Sequence, residues 1–443
     1  MSQIGHGSII TDMTAREMTA DEAAQLFSTR DSVGFGLITG TPTNLFAALS
    51  RRTDWEELTV CGGLMVGRYD LFTHPNVYYK CQFMGGSERA DKAAGGNVDF
   101  MPSFFRHYGI MLERLNIRVM AFAGSMPDQD GNVSLSLFNG ATFEEALRAA
   151  KDPNRLLIVE CSPHFPRTLA LEGHQNSINL SDIDVVIYTD TKPAVLPNAV
   201  PNEAESKIAS YAAGFIREGA TLQTGIGAVP NAVAMQLAAG DNGDFGVHSE
   251  MFTDGLCELI KAGKVTNARK SINKEKSVIT FAAGSESMYE FIHENPAIGV
   301  APVTYTNDPS VINQNHRMVC INSALEVDLL GQMAADSIGA RQFSGVGGHQ
   351  DFIEGTSLSN EHVSLICLES TAMVNGALKS RITSLLTPHG AVTSPRQLAG
   401  VIITEYGAAD LRAKSVRERA ELLVEIAHPQ FRDELAETAR LLG

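Results

Sequence analysis

Two stretches far apart in this chain share one layout, and that duplication constrains the fold more than any other feature. In "TADEAAQLFSTRDSVGFGLITGTPTNLFAALSRR" the spacing predicts an N-capped amphipathic helix from Thr19 and a strand over Ser32–Ile38. A Gly-Thr-Pro turn at Gly40–Pro42 follows, then a second helix and the strand "ELTVCGGL". In "NEAESKIASYAAGFIREGATLQTGIGAVPNAVAMQLAAG" the same logic predicts a helix, the strand "ATLQTGI", a glycine-rich turn ending at Pro230, a helix, and then the strand "FGVHSE". Helix, strand, proline-bearing turn, helix and strand is the pattern of an open, mostly parallel α/β sheet, whose ligands gather at the carboxyl ends of the strands.

The expected architecture is therefore two similar open α/β domains. At 443 residues the chain is long for a single core. The linker "TDTKPAVLPNAVPNE", with Pro193, Pro197 and Pro201, carries neither helical nor strand periodicity and marks the expected boundary. It leaves residues 1–190 and 202–443 as the two domains. The C-terminal "SVRERAELLVEIAHPQFRDELAETARLLG" has Leu422, Leu423, Ile426, Phe431 and Leu435 at helical spacing around a His-Pro break, predicting two closing helices.

Composition excludes several classes of function. With 51 acidic against 35 basic residues the formal charge is −16, so no basic face for nucleic acid is expected. Six cysteines, at 61, 81, 161, 257, 320 and 367, form no C-x-x-C pair and sit in apolar surroundings such as "LTVCGGL". They read as reduced, buried thiols of a cytoplasmic protein, with no metal implied. The N-terminal "MSQIGHGSIITDMTAREMTADEAAQLF" lacks the regions of a signal peptide, and no apolar run is long enough to span a bilayer, so no membrane partner is expected.

The stretch "FGVHSEMFTDG" places Glu250 among Val247, Met251 and Phe252 at the end of an apolar strand. An unpaired charge out of water is costly, so this carboxylate calls for a reason. Glycine-rich turns lie on either side of it in sequence. "QTGIGAVPNAV", with Gly225 and Gly227 before a helix, presents backbone N–H groups of the kind that meet phosphates or oxyanions. It is a poor dinucleotide fingerprint, because Pro230 stands where the third glycine belongs. "FSGVGGHQDF" sets Gly345, Gly347 and Gly348 between apolar flanks, as close approach of backbone to a ligand requires.

Together these features suggest a carboxylate nucleophile served by backbone donors. Glu405 in "VIITEYGAADLR" is the second strand-end carboxylate and a candidate to orient Glu250 and tune its pKa. His248 and Ser249 adjoin Glu250, but no serine lies in a G-x-S-x-G elbow. The basic run "KAGKVTNARKSINKEK", Lys261 to Lys276, is a solvated face or a phosphate-binding patch.

On these residues the sequence resembles the acetyl-CoA hydrolase/transferase family of CoA-transferases, which includes 4-hydroxybutyrate, butyryl, acetate and itaconate CoA-transferases. The motifs that carry the resemblance are "GIGAVPNAV", "HSEMFTDG", "NSALEVDLLGQ", "SGVGGHQDF", "ITEYGAADLR" and "RERAELLVEIAHPQFR". The resemblance implies two α/β domains of the CoA-transferase type with the active site in the cleft between them, in a homodimer or higher homo-oligomer. It implies coenzyme A as a cosubstrate, acyl-CoA and small carboxylic acids as partners, and no tightly bound cofactor. By the family pattern Glu250 attacks the acyl-CoA thioester to give an anhydride, the CoA thiolate then forms a glutamyl-CoA thioester, and an incoming acid reverses the sequence.

Carried over position by position, the pattern gives one oxyanion the N–H of Val229 and the amide of Asn307, and the other the N–H of Gly348. Gly225, Ile226, Gly227, Ala228 and Val229, with Ser344, Gly347, Gly348 and Leu325, would line CoA, and Glu405 would hold Glu250. The N-terminal half departs from the pattern at "MPSFFRHYG", which bears on the acid rather than on the reaction. Acetate and butyrate compete with succinate and itaconate there. A second carboxylate would call for a basic partner, with Arg68, Arg89, Lys92 and Arg106 as candidates. An acyl-CoA hydrolase using the same glutamate and a CoA-binding module without turnover are the competing readings.

Overall fold

A computed structural model describes residues 15–138, 140–197 and 199–442. The first fourteen residues of the segment read as lacking a signal peptide lie outside them. The N-terminal half is built on a sheet of eight parallel strands: β1 (Arg16–Glu17), β2 (Arg30–Phe35), β3 (Glu57–Gly62), β4 (Val77–Cys81), β5 (Asn97–Phe100), β6 (Val119–Ser125), β7 (Leu156–Ser162) and β8 (Val185–Tyr188). Their spatial order is β1-β8-β7-β6-β2-β3-β4-β5. The central β6 and β7, "VMAFAGS" and "LLIVECS", are buried almost throughout, as strands covered on both faces must be.

The C-terminal half carries β9 (Thr221–Thr224), β10 (Gly246–Val247), β11 (Met318–Ser323), β12 (Val363–Cys367), β13 (Val401–Thr404) and β14 (Gly407–Asp410) in the order β10-β9-β11-β12-β13-β14. All its pairs are parallel except the closing hairpin of β13 and β14.

The duplicated layout is present in both sheets. Helix α1 (Ala20–Ala24) starts at a capping box in which Thr19 and Glu22 satisfy each other's backbone N–H groups. It leads to β2, a turn, α2 (Thr43–Leu49) and β3, and β2 and β3 pair side by side. In the second copy α3 (Glu203–Ala213) starts at a capping box of Asn202 and Glu205 and leads to β9, α4 (Ala228–Ala239) and β10, again paired side by side. The described residues between Tyr188 and Glu203 hold no helix or strand. After α5 (His349–Ser357), two helices, α6 (Val416–Ile426) and α7 (Arg432–Ala439), close the chain around His428–Pro429.

Several strands are shorter than the sequence expectation, among them "FGVHSE", where only Gly246–Val247 is strand and Glu250 lies beyond it. The strand predicted over Ser32–Ile38 ends at Phe35, and Ile38 begins a 3-10 turn with φ of 47°. Leu64, after β3, has φ of 49°, and the Ile38 N–H donates to its carbonyl at 3.1 Å. A β-branched residue in this region is strained, and such strain gathers at functional sites. All six cysteines are buried and unpaired. Among the described residues no helix is long and apolar enough to cross a membrane.

Candidate active site

Glu250 is fixed by its backbone before its side chain does anything. Its carbonyl accepts from the N–H groups of Thr280 and Phe281, at 3.0 and 3.1 Å, and its neighbour Ser249 donates its N–H to the Val278 carbonyl. His248, fully buried, donates Nε2–H to the Thr306 carbonyl at 2.8 Å and is held neutral by burial, which pushes its pKa down to about 3. That bond anchors the segment whose next residue, Asn307, reaches the carboxylate. Asn307 Nδ2 donates to Glu250 Oε2 at 2.6 Å and to Asp351 Oδ2 at 3.0 Å.

Asp351 lies on α5 (His349–Ser357) and is wholly buried. It is paired with Arg106 of the N-terminal half, whose other nitrogen meets Glu354 at 3.1 Å. Arg106 therefore ties the "MPSFFRHYG" segment to the helix beside the candidate nucleophile. Burial drives the Glu250 carboxyl up to about 8; the Asn307 hydrogen bond opposes this and the Asp351 charge adds to it. Burial likewise lifts Asp351 to about 6 against the pull of Asn307 and Arg106. The carboxylate is a desolvated, basic one, as a nucleophile should be.

The glycine turns enclose it. α4 begins at Gly227, whose φ of 126° only glycine adopts easily, and it has neither a side-chain cap nor an acidic residue in its first turn. Its first N–H groups, including that of Val229, are thus left for a ligand. Gly348 caps α5; a Cβ there would overlap Glu250 Oε2 and stand 2.6 Å from Asn307 Nδ2. At Gly345 a Cβ would overlap the Gln82 carbonyl and stand 2.9 Å from Phe83 Cα, so the loop's backbone packs directly on the N-terminal half.

Two compartments meet at Glu250. The larger is an open cleft of about 500 Å³, lined by residues 225–230, Leu325, Ser344, Gly347 and Gly348 from the C-terminal half and by Ile38, Leu64 and Phe83 from the N-terminal half. The smaller, about 40 Å³, is lined by Leu37, Ile38, Leu64, Phe83, Phe105, Phe138, Phe281 and Gly347, with Gln82 and Ser103 as its polar side chains besides Glu250. Of the residues expected from sequence to line a ligand, all therefore border the larger space. Asn307 instead stands behind the carboxylate, holding it.

One expectation is corrected, and two alternatives left open by the sequence are decided. Glu405 does not hold Glu250: its carboxylate accepts from the N–H and hydroxyl of Ser370, at 2.8 and 2.5 Å. Glu250 follows β10 and Glu405 follows β13, with three strands between them, so the lateral separation is on the order of 19 Å. The basic run does not face the cleft. Lys261 pairs with Glu258, Arg269 with Glu218 and Asp244, and Lys270 is buried with its Nζ on the carbonyls of Val247 and Lys276. Arg381 is the basic residue that lines the cleft.

Nor do Arg68, Arg89, Lys92 and Arg106 line the smaller compartment. Arg68 pairs with Asp91, Arg89 donates to the Met84 and Phe343 carbonyls, Lys92 donates to Val98, and Arg106 is spent on Asp351. Sequence reasoning missed Asp351, Ile38, Leu64 and Phe83. The first was present in the quoted "SGVGGHQDF", where its i+3 placement after Gly348 on a helix start was the available signal; the others carry no local signal.

The family model described as acetyl-CoA hydrolase/transferase C-terminal domain matches residues 284–439. The chain is 36% identical to the 4-hydroxybutyrate coenzyme A transferase of Clostridium kluyveri, over 94% of this chain and 96% of that one. It is 34% identical to the butyryl-CoA:acetate CoA-transferase of Anaerostipes caccae, over 95% of each. The crystal structure of RipA from Yersinia pestis superposes with a TM-score of 0.87 at 31% identity, covering 96% of this chain and 97% of that one.

Proposed function

Because the chain belongs to the acetyl-CoA hydrolase/transferase family and is an enzyme of the CoA-transferase type, we propose that it moves CoA from a short-chain acyl-CoA to a monocarboxylic acid through a thioester on Glu250. The observation that carries the proposal is the position of Glu250 on the wall shared by a large glycine-lined cleft and a small apolar chamber. The cleft takes CoA, the chamber takes the acyl chain, and the carboxylate lies where the thioester carbon must sit. On this reading residues 1–190 shape the acyl pocket and residues 202–443 bind CoA.

A Glu250 oxygen adds to the thioester carbon, and the C–S bond breaks to leave an acyl-glutamyl anhydride and CoA thiolate. The thiolate then adds to the Glu250 carbonyl carbon and expels the first acid as its carboxylate, leaving glutamyl-CoA. The incoming acid repeats these steps in reverse. Two tetrahedral oxyanions arise, and the donors proposed for them are the Val229 N–H with the Asn307 amide for one and the Gly348 N–H for the other. Gly225, Ile226, Gly227, Ala228, Leu325, Ser344 and Gly347 are proposed as CoA contacts. Apolar walls keep water from the intermediate, which favours transfer over hydrolysis by the same glutamate. The absence of any lysine or arginine from the described chamber lining favours acetate or butyrate over succinate or itaconate.

Incubation with acetyl-CoA or butyryl-CoA followed by borohydride tests the mechanism. Mass spectrometry should find the change on the peptide bearing Glu250, and an unmodified peptide despite CoA release would replace transfer with direct hydrolysis. A pH profile gives a separate check. The nucleophile is the ionised carboxylate and its pKa is pushed up to about 8, so kcat/KM for the acyl-CoA should climb through neutrality and level off above that value. A flat profile across this range would contradict a raised Glu250 pKa.

A further inference from the structure

Resting on the transferase reading, we propose that Arg106 is a positioning residue for the nucleophile: it keeps Asp351 ionised, and Asp351 then holds the Asn307 amide with its N–H, not its carbonyl oxygen, against Glu250. The four side chains form one line. Arg106 Nη1 is ion-paired with Asp351 Oδ1, Asp351 Oδ2 accepts from Asn307 Nδ2 at 3.0 Å, and the same nitrogen donates to Glu250 Oε2 at 2.6 Å. Arg106 enters from the N-terminal half and is itself fixed, by Glu354 Oε2 at 3.1 Å and by the Phe104 ring, whose centroid is 4.5 Å from its Cζ.

The line decides which way the Asn307 amide faces. The two ends of an amide are nearly alike in shape, so hydrogen bonding alone tells them apart. Asn307 is wholly buried and its Oδ1 has no partner, so nothing at that end selects an orientation. The selection rests on the two carboxylates that face Nδ2. An ionised carboxylate only accepts, whereas a protonated one carries an O–H that can donate to Oδ1 instead. Glu250 loses its charge once it is acylated, which leaves Asp351 to hold the amide while an oxyanion develops beside it. Turned round, the amide would set its oxygen against that oxyanion and the donor would be lost. Asp351 is fully buried, so it needs the guanidinium to stay ionised.

The charges along the line give the test a sign. Without the Arg106 cation the two carboxyls share a proton to higher pH. Without the Asp351 anion Glu250 releases its proton at lower pH, because that charge is one of the causes that raise it. The other titratable groups nearby do not produce this opposed pair of shifts. His248 and His349 are held neutral by burial, and Glu354 is a partly exposed partner of Arg106 alone. His107 is lowered by burial and by Arg106, so it moves only in the Arg106 variants. Lys270, with Nζ on the Val247 and Lys276 carbonyls, is common to every variant.

The test is the pH profile of CoA transfer from butyryl-CoA to acetate by the wild type, Arg106→Met, Arg106→Lys, Asp351→Asn and the double variant Arg106→Met/Asp351→Leu. In Arg106→Met kcat should fall about a hundredfold, the scale of one oxyanion donor, with KM for butyryl-CoA held within about threefold. The rising limb of its kcat/KM profile should move up by about one pH unit. Arg106→Lys keeps the charge and should recover most of the lost kcat. In Asp351→Asn the new amide turns its oxygen to Arg106 and its NH2 group to Asn307, so kcat should fall by a similar factor while the limb moves to lower pH. The double variant buries no unpaired charge and carries the test if Arg106→Met does not fold; it should keep the low kcat and the lowered limb. Limbs that coincide with that of the wild type in the folded variants, or a double variant with wild-type kcat, would each overturn the assignment. Loss of the transferase reading is distinguishable: the wild type would then transfer no CoA, and borohydride would trap nothing on Glu250.

Discussion

Glu250→Gln is expected to fold normally and to lose CoA transfer by roughly four orders of magnitude or more, because the amide is isosteric but cannot form the anhydride or the thioester. Initial rates of acyl-CoA turnover, with borohydride trapping alongside, measure this. Turnover near that of the wild type would end the case for Glu250 as nucleophile. The same variant has a second signature in stability. The Glu250 carboxyl is pushed from its ordinary 4.5 up to about 8 in the folded protein, so between these values the folded state keeps a proton that the unfolded chain has released. Wild-type stability therefore falls as pH rises through that window. The glutamine variant has no such titration, so its unfolding free energy should gain on that of the wild type from about pH 5 to pH 8, by an amount on the order of 1–3 kcal/mol. A constant difference across that range would mean that the Glu250 pKa is not raised in the folded protein.

Gly348→Ala should be the next most damaging single change. The new methyl would overlap Glu250 Oε2 and approach to 2.8 Å of its Cδ and 2.6 Å of Asn307 Nδ2, while the Asn307 bond that it disturbs is itself 2.6 Å long. The carboxylate, being side chain, is the part that gives way. Displacement of a reacting atom by about 1 Å costs on the order of a hundredfold in rate, and the loss should fall on kcat more than on KM for acyl-CoA. Overpacking should take a further 1–3 kcal/mol or so from stability. Steady-state kinetics and thermal melting check the two parts, and a variant with wild-type kcat would show that Glu250 is not held where the structure has it.

Much of the site could be read before any coordinates because its parts are backbone devices with local signatures. A glycine turn feeding a helix start, as at Gly225–Val229, and a glycine cluster such as Gly345–Gly348 announce close approach wherever they occur. A glutamate inside "FGVHSEMFTDG" is conspicuous because apolar neighbours make its charge expensive. The duplicated layout was legible for the same reason: caps at Thr19 and Asn202 and the alternation of helix and strand periods are properties of short windows.

Side-chain partnership across the fold was not legible. Glu405 sits at a strand end just as Glu250 does, and no local pattern says that three strands intervene. Arg68, Arg89, Lys92 and Arg106 all had the charge required of a carboxylate receptor, but each is taken by a partner: an acid for Arg68 and Arg106, main-chain carbonyls for Arg89 and Lys92. The Lys261–Lys276 run was neutralised in the same way. Charge visible in a sequence is an inventory, and which charges remain unpaired depends on packing.

The sequence by itself thus determined the α/β class, the two sheets, the glycine turns and the carboxylate, since each follows from periodicity, capping, backbone freedom or the cost of burying charge within a few residues. Tertiary structure alone decided what surrounds that carboxylate: Asn307 and Asp351 in place of Glu405, Arg106 joining the halves, and a chamber of Phe83, Phe105, Phe138 and Phe281 with Gln82 in its wall. These residues lie up to hundreds of positions apart in sequence. The desolvation that raises Glu250 comes from side chains of both halves of the chain packed around it, a property of the folded volume and not of any window of the chain.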